Sequence, residues 1–294
     1  DEPSLSEAIY RFCSLNSISD FKNYSGQIDF EPVKFGCKYV WGDEFNTNSL
    51  DNTKWAFGND MGARPNLTLS EDEEVLKLVN GTLKLSTVKT GTKTIDNKIY
   101  NTYKATKAIN TKKAMNFRYG YVEMRAKVPH GDKAWPAFWT KSTSGMIADK
   151  VNDYSTEVDI VEVISSKTSV GSHIHKWNLS GTNRLGSSDE TLGNIIKYDF
   201  GSQTEAEEYH TYGFKWTETS LSFYVDGYMF YEVNSAEMDR IGISDFVDPM
   251  YLILNNHLYS TSGKPTEYDG NGTSFIIDYV RLYQNTEDSS QLFK

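Results

Sequence analysis

Short segments in which apolar and polar residues alternate follow one another along most of this 294-residue chain, with turn-forming residues between them. Alternation with a period of two is the pattern of a β-strand that has one face buried. The dipeptides Asn80-Gly81 and Asp226-Gly227 are strong signals for tight hairpins. Helical periodicity is confined to residues 5–15 and 235–241. We therefore predict an all-β sandwich or barrel, with strands at 75–78, 82–87, 120–128, 157–164, 213–216, 220–225, 250–255 and 274–283.

Charge and hydropathy exclude several classes of partner. The 40 acidic residues outnumber the 30 lysines and arginines, which gives a net charge of −10. Such a chain is poorly suited to nucleic acid or to an anionic membrane surface, and no apolar stretch reaches the length of a membrane span. The 19 tyrosines, 15 phenylalanines and six tryptophans suit either a groove lined by rings or an aromatic strand core. An uncharged substrate fits this composition better than a charged one.

The chain divides into a short polar extension and one large domain. Residues 1–38 are rich in Ser, Asn and Asp, and we expect them to pack on the main domain as an N-terminal extension. Residues 39–294 contain no linker or internal repeat, which indicates a single domain. Cys13 and Cys37 could form a disulfide in an oxidising compartment or remain two buried thiols, and the sequence leaves both open.

Three carboxylates lie within the six residues 157–162, whose sequence is EVDIVE. On a regular strand Glu157 and Asp159 share a face, whereas Glu162 points to the opposite one. Glu162 joins the other two only if a β-bulge absorbs one extra residue, and bulges are common beside active sites. A solvated strand face is the simpler interpretation, but clustered like charges on a strand repel one another. We therefore predict a glycosidase acid and nucleophile pair.

Aromatic and histidine pairs lie on both sides of this motif. Trp135 and Trp139 are four residues apart and would share a strand face, where they would stack on sugar rings or fill a core. His173 and His175 alternate with Ile174, so both are expected to face the substrate on the neighbouring strand. A metal pair is the alternative for these histidines, but no third ligand is evident in the sequence.

An ordered set of motifs resembles glycoside hydrolase family 16 over roughly residues 40–283. The motifs are WGDEF at 41–45, NGTLKL at 80–85, FRYGYVEMRAK at 117–127, WPAFW at 135–139, EVDIVE at 157–162 and IDYVRLY at 277–283. The resemblance implies a β-jelly-roll sandwich of two antiparallel sheets with a concave substrate cleft. It also implies retaining endo-hydrolysis of a β-linked polysaccharide, with Glu157 as nucleophile, Asp159 assisting and Glu162 as acid/base. Neighbouring anions should keep the proton on Glu162, which predicts a weakly acidic to neutral optimum.

Further site residues are expected from the same resemblance. Trp177 would stack on sugar, and Arg64, Asn255 and His257 would line the cleft. No cofactor is expected for catalysis. A structural calcium ion on the convex side would be held by backbone oxygens at Glu44 and Gly81 and by Asp278.

The expected substrate is a β-1,3- or β-1,3(4)-glucan of the laminarin type. The polar segment at 254–263 departs from the usual glucanase loop, which keeps open a β-galactan of the agar, porphyran, keratan or mucin O-glycan type. Lys133, Lys141 and Lys176 keep open a sulfated galactan. Two rivals are a carbohydrate-binding protein without catalysis and a metal-dependent hydrolase centred on His173 and His175. We expect a monomer that is secreted, periplasmic or at the cell surface.

Overall fold

A computed structural model of the chain describes residues 37–58, 64–142, 154–177, 196–261 and 263–293. In these residues the chain forms strands and two short helices, which confirms the all-β prediction. The strands are β1 Lys38–Asp43, β2 Ala56–Gly58, β3 Leu67–Ser70, β4 Leu76–Val79, β5 Thr82–Ile95, β6 Lys98–Thr106, β7 Ala108–Asn110, β8 Phe117–Arg118, β9 Gly120–Lys127, β10 Ala134–Ser142, β11 Ser155–Glu162, β12 Ser169–Trp177, β13 Lys197–Asp199, β14 His210–Trp216, β15 Leu221–Val225, β16 Tyr228–Val233, β17 Met250–Leu258, β18 Ser274–Gln284 and β19 Leu292–Phe293. The helices are α1 Gln203–Ala206 and α2 Ser235–Ile241.

The strands form two sheets that pack face to face. The first sheet has the order β16-β15-β14-β9-β18-β5-β6-β3, with β1 paired to β18 and β4 paired to β5. The second sheet has the order β13-β12-β11-β10-β17-β7-β2, with β8 paired to β17 and β19 paired to β8. The inner faces of both sheets contribute to one apolar core, for example Val122 and Phe214 from the first and Phe138, Val158 and Leu252 from the second. This sandwich confirms the predicted jelly-roll architecture.

Both hairpin signals produce the tight turns that the sequence predicts. The turn residues Asn80 and Gly81 have φ values of 53° and 69°, and Asp226 and Gly227 have values of 49° and 75°. Two successive positive φ angles belong to the turn whose twist matches that of the flanking strands. The two turns therefore connect β4 to β5 and β15 to β16.

Three details of the fold differ from the sequence prediction. Strand β5 continues past residue 87 to Ile95 because β6 pairs with it along that length. Strand β3 runs parallel to β6, although an antiparallel sandwich was expected. Strand β17 continues past Asn255 to Leu258 because β10 pairs with it as far as Ala134. Part of the segment expected to be a polar loop is therefore a buried strand.

The second predicted helix is confirmed as α2. The side chain of Asn234 caps its first turn by accepting a hydrogen bond from the backbone N–H of Glu237, and Gly242 ends the helix in the left-handed conformation. Met238 and Ile241 bury the inner face of α2 in the common core. The single-turn helix α1 was not predicted, since four residues are too few to show a helical period.

The predicted extension and disulfide involve residues outside the described part of the chain. Residues 1–36, including Cys13, are not described, so the packing of the extension and the Cys13–Cys37 pairing stay predictions. Cys37 is buried against Tyr121 and Tyr283 on the face of the first sheet that points away from the core. Neither helix in the described residues has the length and apolar character that crossing a bilayer requires.

Candidate active site

A β-bulge in β11 brings the three carboxylates to one face of the second sheet. The pairing of β11 with β12 is regular from Ser155 to Asp159 and then shifts, so that Glu162 lies opposite Gly171. The pairing with β10 shifts at the same place, with Asp159 opposite Trp139 and Glu162 opposite Ala137. Ile160 and Val161 are both buried in the core, which is possible for consecutive residues only where alternation breaks. The bulge that the sequence required is therefore present.

The strand registers define the face on which these carboxylates lie, which we call the outer face of the second sheet. It carries side chains from four neighbouring strands because residues paired across a sheet share a face. The row on β10 consists of Trp135, Ala137, Trp139 and Lys141, and the row on β12 of Gly171, His173, His175 and Trp177. On β17 the row consists of Tyr251, Ile253, Asn255 and His257. Trp135 and Trp139 therefore share a face, as the sequence predicts.

The Glu157 carboxylate is largely buried and contacts a lysine. Its Oε2 lies 3.3 Å from Nζ of Lys141, and 12% of the Glu157 side chain is exposed. Burial, as the largest cause, and the charge of Asp159 together raise the pKa of Glu157 to about 7, although Lys141 and His175 act in the opposite direction. Lys141 thus favours the ionised form that a nucleophile needs.

The Asp159 carboxylate lies between the other two acids and faces both histidines. Its Oδ2 is 3.2 Å from Nε2 of His175 and 4.0 Å from Nδ1 of His173. Burial and the charge of Glu162 raise the pKa of Asp159, and hydrogen bonding with His175 opposes that rise. The contact between Nε2 of His175 and Oδ2 fixes the orientation of the Asp159 carboxylate.

The Glu162 carboxylate has a partner on each oxygen. The indole N–H of Trp135 donates to Oε1 at 2.6 Å, and Nδ1 of His173 lies 2.9 Å from Oε2. Burial raises the pKa of Glu162, but His173 and Trp135 outweigh burial and leave this pKa below its usual value. The expectation that neighbouring anions hold the proton on Glu162 is therefore wrong for the unliganded protein. The sequence could not show that His173 would reach Glu162 and favour its anionic form.

The aromatic rings of β12 form a stacked row beside the carboxylates. The ring centroids of His173 and His175 are 6.2 Å apart, and those of His175 and Trp177 are 5.2 Å apart. The sequence predicted no third ligand for a metal on these histidines, but carboxylate oxygens lie within 4.8 Å of each ring nitrogen. Each histidine is already the ion-pair partner of a carboxylate, so the histidines and carboxylates balance one another's charge within the protein.

The tryptophans of β10 are partly committed to protein contacts. The Trp139 indole is 6% exposed and donates its N–H to Oδ1 of Asn255 at 2.8 Å. Trp135 is half-buried, with the Arg64 guanidinium 4.6 Å from its ring centroid and Tyr259 against its edge. Arg64 therefore lies beside the predicted site through its stacking on Trp135. Contact of Trp135, Trp139 and Trp177 with a sugar stays a prediction.

The structure corrects the expected roles of Asn255 and His257. Both side chains are fully buried and cannot touch a glycan in this conformation. Asn255 accepts the hydrogen bond from Trp139 and so orients that ring. Nε2 of His257 bonds to the carbonyl oxygen of Thr106 at 2.9 Å, and burial lowers the pKa of His257 to about 4. Both side chains are engaged within the protein instead, Asn255 also with the carbonyl oxygen of Trp135 and His257 with Thr106 of β6.

The three predicted calcium ligands lie near one another at one corner of the first sheet. Asp43, which precedes Glu44, pairs with Val280, and Leu83, two residues after Gly81, pairs with Ile277. The Asp278 carboxylate is occupied, however, because it forms an ion pair with Arg125. The Glu44 side chain binds Arg281, but Glu44 and Gly81 were expected to contribute backbone oxygens. As arranged here, the Asp278 carboxylate does not fit as a calcium ligand unless Arg125 moves away. The calcium site stays a prediction.

Lys141 is the functional residue that the sequence reasoning did not assign. It appeared only as one of three lysines that could favour a sulfated substrate. Its position two residues after Trp139 on the same strand was the available signal, because that spacing places both side chains on one face. Lys141 lies about equally far from the rings of Trp139 and Trp177, with Nζ 5.9 and 6.0 Å from their centroids.

Comparison with known proteins supports the resemblance. A family model described as "Beta-porphyranase A-D, GH16 domain" matches residues 40–285. Among curated proteins, the chain is 28% identical over 290 residues to glucan endo-1,3-beta-glucosidase A1 of Niallia circulans. That match covers 91% of this chain, whereas the chain spans only 41% of that relative's length.

Solved structures share the fold. The laminarinase catalytic domain from Thermotoga maritima MSB8 has a TM-score of 0.64 at 24% identity, covering 84% of this chain and 98% of that chain. A chain reported among endo-acting O-glycanases that prominent members of the human gut microbiota express to initiate mucin breakdown has a TM-score of 0.63 at 26% identity. It is matched over 92% of its length and 86% of this chain.

Proposed function

Because the chain belongs to glycoside hydrolase family 16, we propose that it is a retaining endo-β-glycosidase acting on a β-linked polysaccharide. The single observation that carries this proposal is the placement of Glu157, Asp159 and Glu162 on one face by the bulge in β11. Without the bulge Glu162 would point into the core. Exposure of the three side chains is 8–12%, which suits carboxylates that react in a partly desolvated site.

The proposed reaction has two steps that use the same two glutamates. Ionised Glu157 attacks the anomeric carbon while Glu162 gives a proton to the departing oxygen, which leaves a glycosyl ester on Glu157. Glu162 then takes a proton from water, and that water releases the sugar with its original configuration. Lys141 favours the ionised form of Glu157, and His175 holds Asp159 beside it.

The first candidate substrate is a β-1,3- or β-1,3(4)-glucan. The curated relative and the Thermotoga maritima structure, both glucan-cleaving by name, support this choice. The second candidate is a β-galactan, supported by the porphyranase description of the matching family model and by the O-glycanase structure. The cation of Lys141 beside the nucleophile favours the second candidate where the sugar carries a sulfate or carboxylate. Secretion and a monomeric state belong to the same proposal.

Product profiling tests the reaction and the substrate together. Wild type, Glu157→Gln and the surface control Glu73→Gln would be incubated with laminarin, mixed-linkage glucan, agarose, porphyran, keratan sulfate and mucin O-glycans. We expect wild type and Glu73→Gln to release the same short oligosaccharides, and Glu157→Gln to release none. Proton NMR of the first products should show the β-anomer before it equilibrates.

Each outcome of this experiment decides one alternative. Products from laminarin or mixed-linkage glucan select the glucan, and products only from galactose-containing chains select the galactan. Binding of one polysaccharide without any cleavage would favour the carbohydrate-binding alternative. A first product of inverted configuration would contradict the roles given to Glu157 and Glu162.

A further inference from the structure

The three carboxylates of the site have three different cationic partners. Glu157 contacts Lys141 at 3.3 Å and Asp159 contacts His175 at 3.2 Å. Nδ1 of His173 lies 2.9 Å from Oε2 of Glu162, the proposed acid/base, in a close ion pair whose angle is not that of a hydrogen bond. Lysine stays charged across the physiological range, whereas histidine gains and loses its proton within it. The carboxylate that must exchange a proton therefore has a partner that can also exchange one.

Gly171 makes room for the His173 ring. It lies opposite Glu162 in the register of β11 and β12, and its φ is not in the left-handed region, so the backbone does not require glycine there. A Cβ at this position would be 3.0 Å from Cε1 of His173 and 3.5 Å from Nε2. Contacts as short as 3.0 Å would push the ring away from its place beside Glu162. Glycine at position 171 therefore leaves room for the His173 ring and is not required by the backbone conformation.

We propose that His173 is a positioning residue for Glu162 that holds the catalytic proton between turnovers. This inference rests on the proposed glycosidase function. In the free protein the proton lies on Nδ1 of His173, and Glu162 is a carboxylate. When a glycan displaces water from the site, the neutral pair is favoured, and the proton moves from Nδ1 to Oε2. Imidazolium and carboxylate thereby become imidazole and carboxylic acid, with no change in total charge.

The proton then follows a closed cycle. Trp135 donates to Oε1, so Oε2 is the oxygen that accepts the proton and passes it to the leaving oxygen of the glycan. After Glu157 has formed the glycosyl ester, the Glu162 carboxylate takes a proton from the attacking water. Release of the sugar returns that proton to His173, and the resting ion pair is restored. Contacts of this kind in an unliganded site tighten and align when the substrate binds.

The surrounding charges favour the protonated histidine in the resting state. Asp159 on β11 lies 4.0 Å from Nδ1 of His173. The ring of His175, which is on the same strand as His173, stacks on the His173 ring. On β13, beyond β12, the charged residues are Lys197 and Asp199, and on β10 Lys141 is engaged with Glu157. Burial alone would lower the pKa of His173, but Glu162 and Asp159 outweigh it and leave this pKa above the usual value.

NMR titration of the histidine ring nitrogens tests the resting pair directly. Spectra of wild type and His173→Asn identify the signals of His173, and Glu162→Gln removes the partner charge. We expect His173 in wild type to keep its second proton above pH 6.5, and its pKa to fall by about 1 unit or more in Glu162→Gln. An unchanged His173 pKa in Glu162→Gln would overturn the pairing.

Kinetics test whether the pair serves proton transfer. On laminarin, or on porphyran if wild type cleaves that instead, we expect His173→Asn to lower kcat by about tenfold to a hundredfold with KM changed little. A 2,4-dinitrophenyl glycoside of the released disaccharide needs no proton on its leaving group, so its initial release should be nearly unaffected. Gly171→Ala should reproduce both effects by displacing the ring.

The outcomes separate this inference from the proposed function. A raised KM with unchanged kcat would assign His173 to substrate binding and overturn its positioning role. Full activity of His173→Asn on both substrates across the pH range would also overturn that role while leaving the glycosidase proposal intact. If wild type cleaves no polysaccharide, the proposed function fails, and the NMR titration still reports whether His173 and Glu162 share a proton. Melting temperatures of each variant show whether it is folded.

Discussion

At the scale of single residues, the site depends on which cation each carboxylate contacts. The nucleophile Glu157 is buried next to Asp159, and both conditions disfavour its ionised form. Lys141 is the cation that opposes them from 3.3 Å. A group whose pKa is raised to about 7 loses its charge as the pH falls below that value, so the acidic limit of activity should follow Glu157.

Removing Lys141 should shift that acidic limit upward. In Lys141→Met the stem of the side chain is kept but the charge is lost, so the pKa of Glu157 rises further. We expect the acidic limb of the kcat/KM profile to move by about 1 pH unit to higher pH. Lys77→Met, on an exposed strand of the first sheet, is the matched control and should keep the wild-type profile. An unshifted acidic limb in Lys141→Met would mean that Glu157 does not set it.

At the scale of elements, the bulge in β11 determines both the site and part of the core. In a regular strand one of Ile160 and Val161 would face outward with the carboxylates. In the structure both side chains are buried, at 3% and 1% exposure, because the extra residue is absorbed between Asp159 and Glu162. The same irregularity therefore turns Glu162 outward and Val161 inward.

Alanine substitutions test the bulge through stability. Ile160→Ala should lower the free energy of unfolding by about 3 kcal/mol, because it removes buried methyl groups and leaves a cavity. Val161→Ala should also cost stability, by a smaller amount because valine loses fewer atoms. Ile99→Ala, at a position that is 71% exposed on β6, should change stability by less than about 0.5 kcal/mol. A loss at Val161 as small as that at Ile99, measured by urea unfolding, would contradict the bulged register, because a regular strand would turn Val161 outward.

At the scale of the whole molecule, the two sheets have different tasks. The outer face of the second sheet carries the carboxylates, the rings and Lys141. The corresponding face of the first sheet carries a buried polar network in which Tyr121 and Tyr279 donate to Glu123. The predicted calcium ligands Glu44, Gly81 and Asp278 belong to the first sheet's strands and turns, away from the carboxylates of β11.

Chelation should therefore separate catalysis from stability. A two-carboxylate mechanism uses no metal, so we expect kcat on the cleaved polysaccharide to be unchanged after dialysis against EDTA, assayed well below the melting temperature. Loss of activity that Zn²⁺ restores would favour the metal-dependent hydrolase on His173 and His175. A lower melting temperature that Ca²⁺ restores in wild type but not in Asp278→Asn would support the calcium site.

The sequence by itself determined the class of fold and pointed to the three carboxylates that we propose for catalysis. Alternation and two hairpin dipeptides are local signals, and they identified eight of the 19 strands in the described residues, α2 and both turns. The spacing of Glu157, Asp159 and Glu162 required a bulge because alternate side chains of a strand point to opposite faces. That requirement is a matter of covalent geometry and needs no tertiary information.

Only the tertiary structure decided the partners of those carboxylates. Lys141, His173 and Trp135 come from two other strands, and their registers with β11 follow from long-range pairing that no local pattern encodes. Asn255 and His257 are buried against residues that are distant in the sequence, Asn255 against Trp139 and His257 against Thr106 of β6. Protonation depends on burial and on charges a few ångströms away in space, so the sequence alone assigned the proton to Glu162, whereas the contact with His173 led us to propose that it rests on the histidine.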